Sequence, residues 1–324
     1  MKNIAVFCGG DSSEREVSLG SGAQMIGHID RSKYNPYLID LQGLDWHYTA
    51  SGGEVCAVDR NDFSLTVGGK KVMLEYALIL IHGTPGEDGK LQGYLDMMRI
   101  PYSSGGVSSS VITFDKITCK RAVATEDIAL AREVLVHDTD AVDPQAVIEF
   151  LGLPVFVKPN ASGSSFGVTK VGSTDGIIPA IKAAMKESGS VLIEEFLDGR
   201  EFGCGVMVTR EKEYTFPVTE IISKKEFFDY EAKYTPGMSD EITPADIPTE
   251  LSAEIQRLAL KAYKVCDCRG VVRVDFIVRG GVPHMVEVNS VPGMSAGSIV
   301  PKQVAAAGMS LTDFFNILIE DTWQ

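Results

Sequence analysis

Apolar residues recur along this chain in short runs that stop at glycine, and the period within each run separates strand from helix. Near the C-terminus, residues 271–278 and 283–288 form two β-branched runs around a Gly-rich turn. Residues two apart in a strand share a face. Arg273 and Asp275 therefore lie on one face of the first run, and Glu287 and Asn289 on one face of the second. Val272, Val274, Phe276, Val286 and Val288 take the opposite, apolar faces. A three-residue turn centred on Gly281, or a five-residue one, sets Asp275 opposite Glu287 and Arg273 opposite Asn289.

The same reading orders the rest of the chain. Residues 3–8 form a strand that ends at Gly9-Gly10, and a helix capped by Ser12 or Ser13 follows, opening a βαβ unit. Residues 37–41 are a second strand, 44–62 a polar connection, and 65–67 with 71–74 a small hairpin over Gly68-Gly69. YALILI at 76–81 is a buried strand running out into HGTPGEDG, followed by a helix at 91–98 and a short strand at 101–102. The Gly/Ser-rich stretch 103–110 marks a domain boundary. Beyond it the expectation is a helix through Asp115-Lys116 to about residue 126, a helix at 143–151 and a strand ending in Lys158. Strands follow at 168–171, 191–194, 201–208 and 214–222. Residues 223–248 carry aromatics, a lysine and prolines with little periodicity, the composition of a lid. Leu251, Ile255, Leu258, Ala262 and Val265 stripe an amphipathic helix, and a short helix from Ser298 and another at 311–321 close the chain.

Composition adds limits. With 324 residues, 44% hydrophobic and 23% charged, the chain is a globular protein of two or three domains. A net charge of −14 excludes a nucleic-acid phosphate surface, which needs clustered Lys and Arg. The six cysteines show no framework spacing and are expected to be reduced and structural. No apolar run is long enough for a membrane span or a signal peptide, so a cytoplasmic protein without membrane partners is expected.

Candidate chemistry sits at the ends of these strands. Asp275 facing Glu287 is a like-charge pair, destabilising across a ladder unless a cation joins it. Hard oxygen ligands suit Mg²⁺, which also takes substrate phosphates. The alternative is an antiparallel edge with a solvated polar face. Lys158 ends an apolar strand and needs an anion as partner. The loop 160–167, NASGSSFG, offers small hydroxyl and N–H groups able to cover phosphates, although it is not a Walker loop. The first Gly turn is not GxGxxG, and Glu14 after it either meets a ligand or complements the helix dipole. His82 leaves a strand at its carboxyl end, where α/β sheets bind ligands. Residues 194–202 suit an adenine slot, with a glutamate for the ribose.

Taken together, GGDSSEREVS, HGTPGEDG, KPNASGSSFGV, DYEAKY, RVDF and EVNSVPGMS, in this order over residues 4–321, resemble the D-alanine–D-alanine ligases. The resemblance implies an α/β, three-domain ATP-grasp architecture, with an N-terminal Rossmann-like parallel sheet and two α+β domains sandwiching ATP. The implied divisions are 1–103, 104–193 and 194–324, with a lid at 223–248. It implies ATP-dependent joining of two D-alanines through an acyl phosphate, with two Mg²⁺ (or Mn²⁺), in peptidoglycan precursor synthesis. Glu14 would grip the first ammonium, hydrogen-bonded with Ser164 and Tyr234, and His82 would lie near the first carboxylate. Lys116, Lys158 and Lys233 would meet phosphates under a loop that includes Ser164 and Ser165. Glu194, Phe196 and Leu197 would frame adenine, with Glu201 on the ribose. Asp275, Glu287 and Asn289 would hold the metals, and Arg273 with the Gly293 amide the oxyanion. Ser298 and Ile299 would receive the second D-alanine, and the protein would be a homodimer. Departures are Ala161-Ser162, where some members carry a charged pair, and Gly297, where a member can have histidine. Tyr234 favours an amine over a lactate acceptor. The alternatives are a ligase using D-serine or D-lactate, and a noncatalytic ATP-binding regulator on the same scaffold.

Overall fold

The structure, a computed structural model, describes residues 1–163, 166–223 and 239–323. Among these residues three sheets form. The first has the order β6-β5-β4-β3-β2-β1-β7, with β1 (Lys2–Gly9), β2 (Tyr34–Gln42), β3 (Asp45–Thr49), β4 (Val55–Asp59), β5 (Ser64–Val67), β6 (Lys70–Met73) and β7 (Tyr76–Ile79). Its parallel part is β2-β1-β7, in keeping with the expected βαβ unit and with the Rossmann-like half that the resemblance implies. The stretch 44–62 is not merely a connection. Its β3 and β4 pair antiparallel and carry the sheet on to the β5-β6 hairpin, burying Trp46, Cys56 and Val58. At the end of β1, Gly9 has φ 85°, and a Cβ there would come within 2.4 Å of Asp40 Oδ1. Only glycine makes this turn into the helix Arg15–Met25.

After the short β8 (Ala129–Leu130), the second sheet is antiparallel, in the order β11-β10-β12-β9. It comprises β9 (Glu133–Val136), β10 (Val155–Pro159), β11 (Thr169–Val171) and β12 (Val191–Glu195). The helices Pro144–Leu151 and Ile177–Ala184 cover it, around Val155, Val157, Ile177, Ile181 and Ile193. The helix expected through Asp115 is two helices, Val107–Phe114 and Lys116–Val123. Asp115 is extended between them and its carboxylate accepts from Thr118 N, so the residue caps the second helix instead of continuing the first.

The third sheet runs β16-β15-β13-β17-β18-β8 and takes in β13 (Arg200–Val208), β14 (Glu213–Thr215), β15 (Thr219–Ser223), β16 (Ser239–Ile242), β17 (Val271–Arg279) and β18 (Val282–Asn289). The run 214–222 is broken at Phe216-Pro217. Phe216 turns into the core and Pro217 has no N–H for a ladder, so β14 and β15 pair with different parts of β13. The helix Thr249–Val265 packs Ile255, Leu258, Ala259 and Ala262 under this sheet, as its stripe predicts.

The β17–β18 turn has two residues, Gly280 and Gly281, both at positive φ, and Arg279 pairs with Val282. That turn alone would shift the acidic pairs by one residue. A bulge between Asp275 and Phe276 takes up Val286 as the extra residue and restores Asp275 opposite Glu287 and Arg273 opposite Asn289. The expected pairing is therefore present by a different route, and the core side of β18 is formed by Met285 and Val288 rather than by Val286.

Gln303, fully buried on the helix Ile299–Ala306, accepts from Gly205 N at 2.9 Å and donates to Gly203 O at 2.8 Å. It ties that helix to the middle of β13. Gln303→Leu leaves two buried backbone groups unpaired and is expected to destabilise by roughly 2–5 kcal/mol in urea unfolding. An unchanged midpoint and slope would show that the tie carries no stability.

Candidate active site

Between the second and third sheets lies a cleft of ≈ 440 Å³, a size usual for small-ligand sites. Lys116, Lys158, Glu194, Phe196, Leu197, Glu201 and Glu287 all line it. The chain crosses from β12 to β13 along one side. There Phe156 and Phe196 stand with ring centroids 5.9 Å apart, and Lys170 Nζ lies 4.4 Å from the Phe196 ring. Ile277 and Met285 face them from the other sheet. An apolar, aromatic slot with a carboxylate at Glu201 is suited to a flat heterocycle joined to a sugar.

The other side of the cleft is cationic. Lys158 Nζ lies 2.5 Å from Glu194 Oε2, and Lys120 Nζ lies 2.8 Å from Glu194 Oε1 and 2.6 Å from Glu133 Oε2. Burial opposes ionisation of Glu194, but the charges of Lys158 and Lys120 more than offset it and hold the carboxyl below its usual range. Burial likewise works against the Lys120 charge, and Glu194 and Glu133 override it to raise its pKa. The anion facing Lys158 here is thus a protein carboxylate. Lys120 was not a sequence candidate, and its signal is its place one helical turn after Lys116. Lys116 Nζ donates to Ser162 O at 2.6 Å and lies 3.5 Å from Glu287 Oε2. It is aimed by Asn160, whose Oδ1 accepts from Ile117 N and whose Nδ2 donates to Asp115 Oδ2.

On the polar face of the β17–β18 hairpin, Arg273 makes a bidentate pair with Asp275, both N–O distances being 2.7 Å. Asn289 Nδ2 also donates to Asp275 Oδ2 at 2.9 Å. Two carboxylates and an amide oxygen on one strand face are a hard donor set that fits a divalent cation sharing its remaining positions with phosphate. Gly203 leaves room beside them, since a Cβ there would come within 3.2 Å of Asp275 Oδ1. Among the described residues no group of three or more His, Cys, Asp or Glu side chains is arranged for a metal, so this set relies on the amide and on a ligand.

Glu14 and His82 sit at the carboxyl ends of β1 and β7, both buried. The loop of the second sheet reaches them, because a Cβ on Gly163 would fall 2.1 Å from Glu14 Oε2. A side chain at this position would have to push the Glu14 carboxylate aside. His82 Nδ1 lies 2.9 Å from Val291 O, so the proton is on Nδ1, and Nε2 faces Ser21 Oγ at 3.4 Å. Burial lowers the His82 pKa against the raising effects of Glu14 and the Val291 carbonyl. In this state the ring offers a lone pair at Nε2, not a second donor. Glu87 escaped the sequence reading because its loop has no period. Its buried carboxyl accepts from Gly83 N at 2.8 Å and from Val291 N at 3.2 Å. Burial, then the charge of Glu14, pushes it up to about 8. Gly293 lies beside Ser298, which precedes the helix Ile299–Ala306; Ser298 Oγ is 2.8 Å from Ser295 Oγ, and Ile299 is buried. Ser164, Ser165, Lys233 and Tyr234 lie outside the described residues.

Residues 3–105 match the family model "D-ala D-ala ligase N-terminus", and residues 123–320 match "D-ala D-ala ligase C-terminus". Over 321 residues the chain is 46% identical to the D-alanine–D-alanine ligase of Bacteroides fragilis, covering 99% of each. With that of Porphyromonas gingivalis it shares 39% over 320 residues, 98% of this chain and 97% of that protein. Among solved structures, D-alanyl-alanine synthetase A from Vibrio cholerae superposes with a TM-score of 0.89 at 27% identity, covering 99% of this chain and 98% of that one. The VanG D-Ala:D-Ser ligase from Enterococcus faecalis does so with 0.87 at 29%, covering 100% and 99%.

The lysine-bound Glu194 makes a stability prediction. A depressed carboxyl contributes stability that is complete above its unfolded value of 4.5 and is lost as the pH falls through the lower folded value. Glu194→Gln is expected to cost roughly 3–5 kcal/mol near neutral pH and to flatten the acid limb of stability below pH 4.5 in denaturant titrations. Parallel wild-type and variant curves would contradict the pairing.

Proposed function

This chain belongs to the D-alanine–D-alanine ligase family, and from that premise we propose how its residues carry out the reaction. The protein is an ATP-dependent ligase that joins two D-alanines to D-alanyl-D-alanine for peptidoglycan precursor synthesis. In the first step the carboxylate of one D-alanine attacks the γ-phosphorus of ATP. An O–P bond forms, the bond to the bridging oxygen breaks, and ADP leaves. In the second step the amine of the other D-alanine attacks the acyl carbon, and phosphate departs from a tetrahedral intermediate as the nitrogen gives up its proton.

In this reading the aromatic slot at Phe196 and Leu197, with the edge at Glu194, holds adenine, and Glu201 binds the ribose. Lys116 and Lys158, together with Lys233, neutralise the phosphates. For Lys158 this means exchanging Glu194 for a stronger anion, while Lys120 stays to balance the glutamate. The loop through Ser164 and Ser165 covers the phosphates and keeps water from the acyl phosphate. Glu14 binds the first ammonium, in a hydrogen-bonded set with Ser164 and Tyr234, and His82 stands near the first carboxylate. Arg273 and the Gly293 amide stabilise the oxyanion, and Ser298 and Ile299 seat the second D-alanine. Two Mg²⁺ or Mn²⁺ ions, held by Asp275, Glu287 and Asn289, would supply charge neutralisation at the phosphate oxygens. The divisions at 103 and 193, a lid over 223–248, a homodimer and a cytoplasmic location belong to the same proposal. No helix among the described residues is long and apolar enough to cross a membrane.

The observation that carries the reading is the pairing of Asp275 with Glu287 on the strand face beside the cleft where Lys116 and Lys158 converge. Phosphate release from ATP should depend on D-alanine, with L-alanine, D-serine and D-lactate as comparison substrates. Asp275→Asn is expected to reduce that release by about 100-fold or more and to weaken Mn²⁺ binding followed by electron paramagnetic resonance. Turnover and Mn²⁺ affinity like those of the wild type would refute the metal assignment. Tyr234→Phe is expected to raise the share of D-lactate in the product, and an unchanged ratio removes that tyrosine from acceptor choice.

A further inference from the structure

We infer that Glu87 is a positioning residue, which together with His82 grips the backbone of Val291 and so fixes where Asn289 and Gly293 stand relative to Glu14. The inference rests on the reading that Asn289 and Gly293 serve the ligation. Val291 lies midway between them, and the N-terminal unit holds both polar groups of that residue's backbone. Its N–H is given to Glu87 Oε1 at 3.2 Å, and its carbonyl accepts from His82 Nδ1 at 2.9 Å.

The far end of the grip is equally constrained. Glu87 Oε2 accepts from Gly83 N at 2.8 Å, and Gly83 O accepts from the backbone N–H groups of Gly86 and Glu87, each at 2.9 Å. A Cβ on Gly83 would meet Ser12 at 2.6 Å and Glu14 Oε2 at 3.4 Å, and one on Gly86 would meet Ile81 O at 2.2 Å. The loop is thus packed against the residue expected to bind the first ammonium on one side and against Ile81, just past β7, on the other. One carboxylate, buried to 9% exposure, spans from this loop to the segment that follows β18. Those two segments come from different sheets, and the reacting groups assigned to them must meet within a fraction of an ångström. A link of this kind acts on the geometry of the chemical step. It does not act on the adenine slot, whose walls are Phe156, Phe196 and Leu197 with Ile277 and Met285 of the third sheet.

Glu87→Gln keeps the shape but turns an NH₂ group toward one of the two N–H donors, so one contact is lost. Turnover is expected to fall roughly 10- to 100-fold, because small misplacements at reacting groups cost that much, while the affinity for ATP alone stays that of the wild type. Melting temperature is measured alongside. Unchanged turnover overturns the inference, and so does a parallel loss of turnover and ATP affinity, which marks general loosening. Should E87Q fail to fold, Glu87→Asp retains the carboxyl group but is one methylene too short to reach both amides. The same split is expected of it, and wild-type turnover in E87D overturns the inference. A wild type without D-alanine-dependent phosphate release counts against the ligase reading itself. An active wild type matched by an equally active E87Q counts against the grip alone.

Discussion

The structure depends on two carboxylates that its backbone holds face to face. Asp275 and Glu287 are direct partners in the β17–β18 ladder. At a separation of about 5 Å and an effective dielectric near 20, like charges repel by about 3 kcal/mol. That cost is comparable with what a single good ion pair returns, so neither carboxylate is left to itself. Arg273 takes both oxygens of Asp275, and Lys116 approaches Glu287. The cations that restrain the pair are the same ones assigned to the oxyanion and the phosphates. A divalent ion that satisfies the carboxylates would therefore release Arg273 and Lys116 toward the substrate.

Around this pair, strand ends from three sheets converge. β1 and β7 deliver Glu14 and His82, β10 and β12 deliver Lys158 and Glu194, and β17 with β18 deliver the acidic face. The convergence is enforced by close backbone approach. Gly163 lies against Glu14, whose carboxylate a Cβ would displace, and Gly203 lies against Asp275, where a Cβ would fit only tightly. Charge balance follows the same plan. Glu194 sits between Lys120 and Lys158, so each of these lysines has a carboxylate partner in a buried cleft.

Much of this was legible in the residues, and the limits are physical. Period-two alternation in β17 and β18 was enough to put Arg273, Asp275, Glu287 and Asn289 on one face, because side-chain direction in a strand is a local property. The register between the strands is not local. The two-residue Gly280-Gly281 turn and the bulge at Val286 cancel each other, and neither could be read from composition. β3 and β4 were missed because each is five residues long and buries only one or two of them, Trp46 in one and Cys56 with Val58 in the other. Asp115 and Pro217 broke runs that looked continuous, one by capping and the other by lacking an N–H. Lys120 and Glu87 were passed over for another reason: each has a partner far off in the chain, Glu194 at 74 residues and Val291 at 204. The family resemblance supplied roles that spacing alone could not, Tyr234 and Lys233 among them.

The most direct measurement is a crystal structure with Mg²⁺ and a nonhydrolysable ATP analogue. Oxygens of Asp275, Glu287 and Asn289 are expected at about 2.0–2.3 Å from ions that also touch the phosphates, with Lys158 turned from Glu194 to the nucleotide. Ions bound to phosphate alone, with Asp275 still closed on Arg273 and Lys158 still on Glu194, would contradict it.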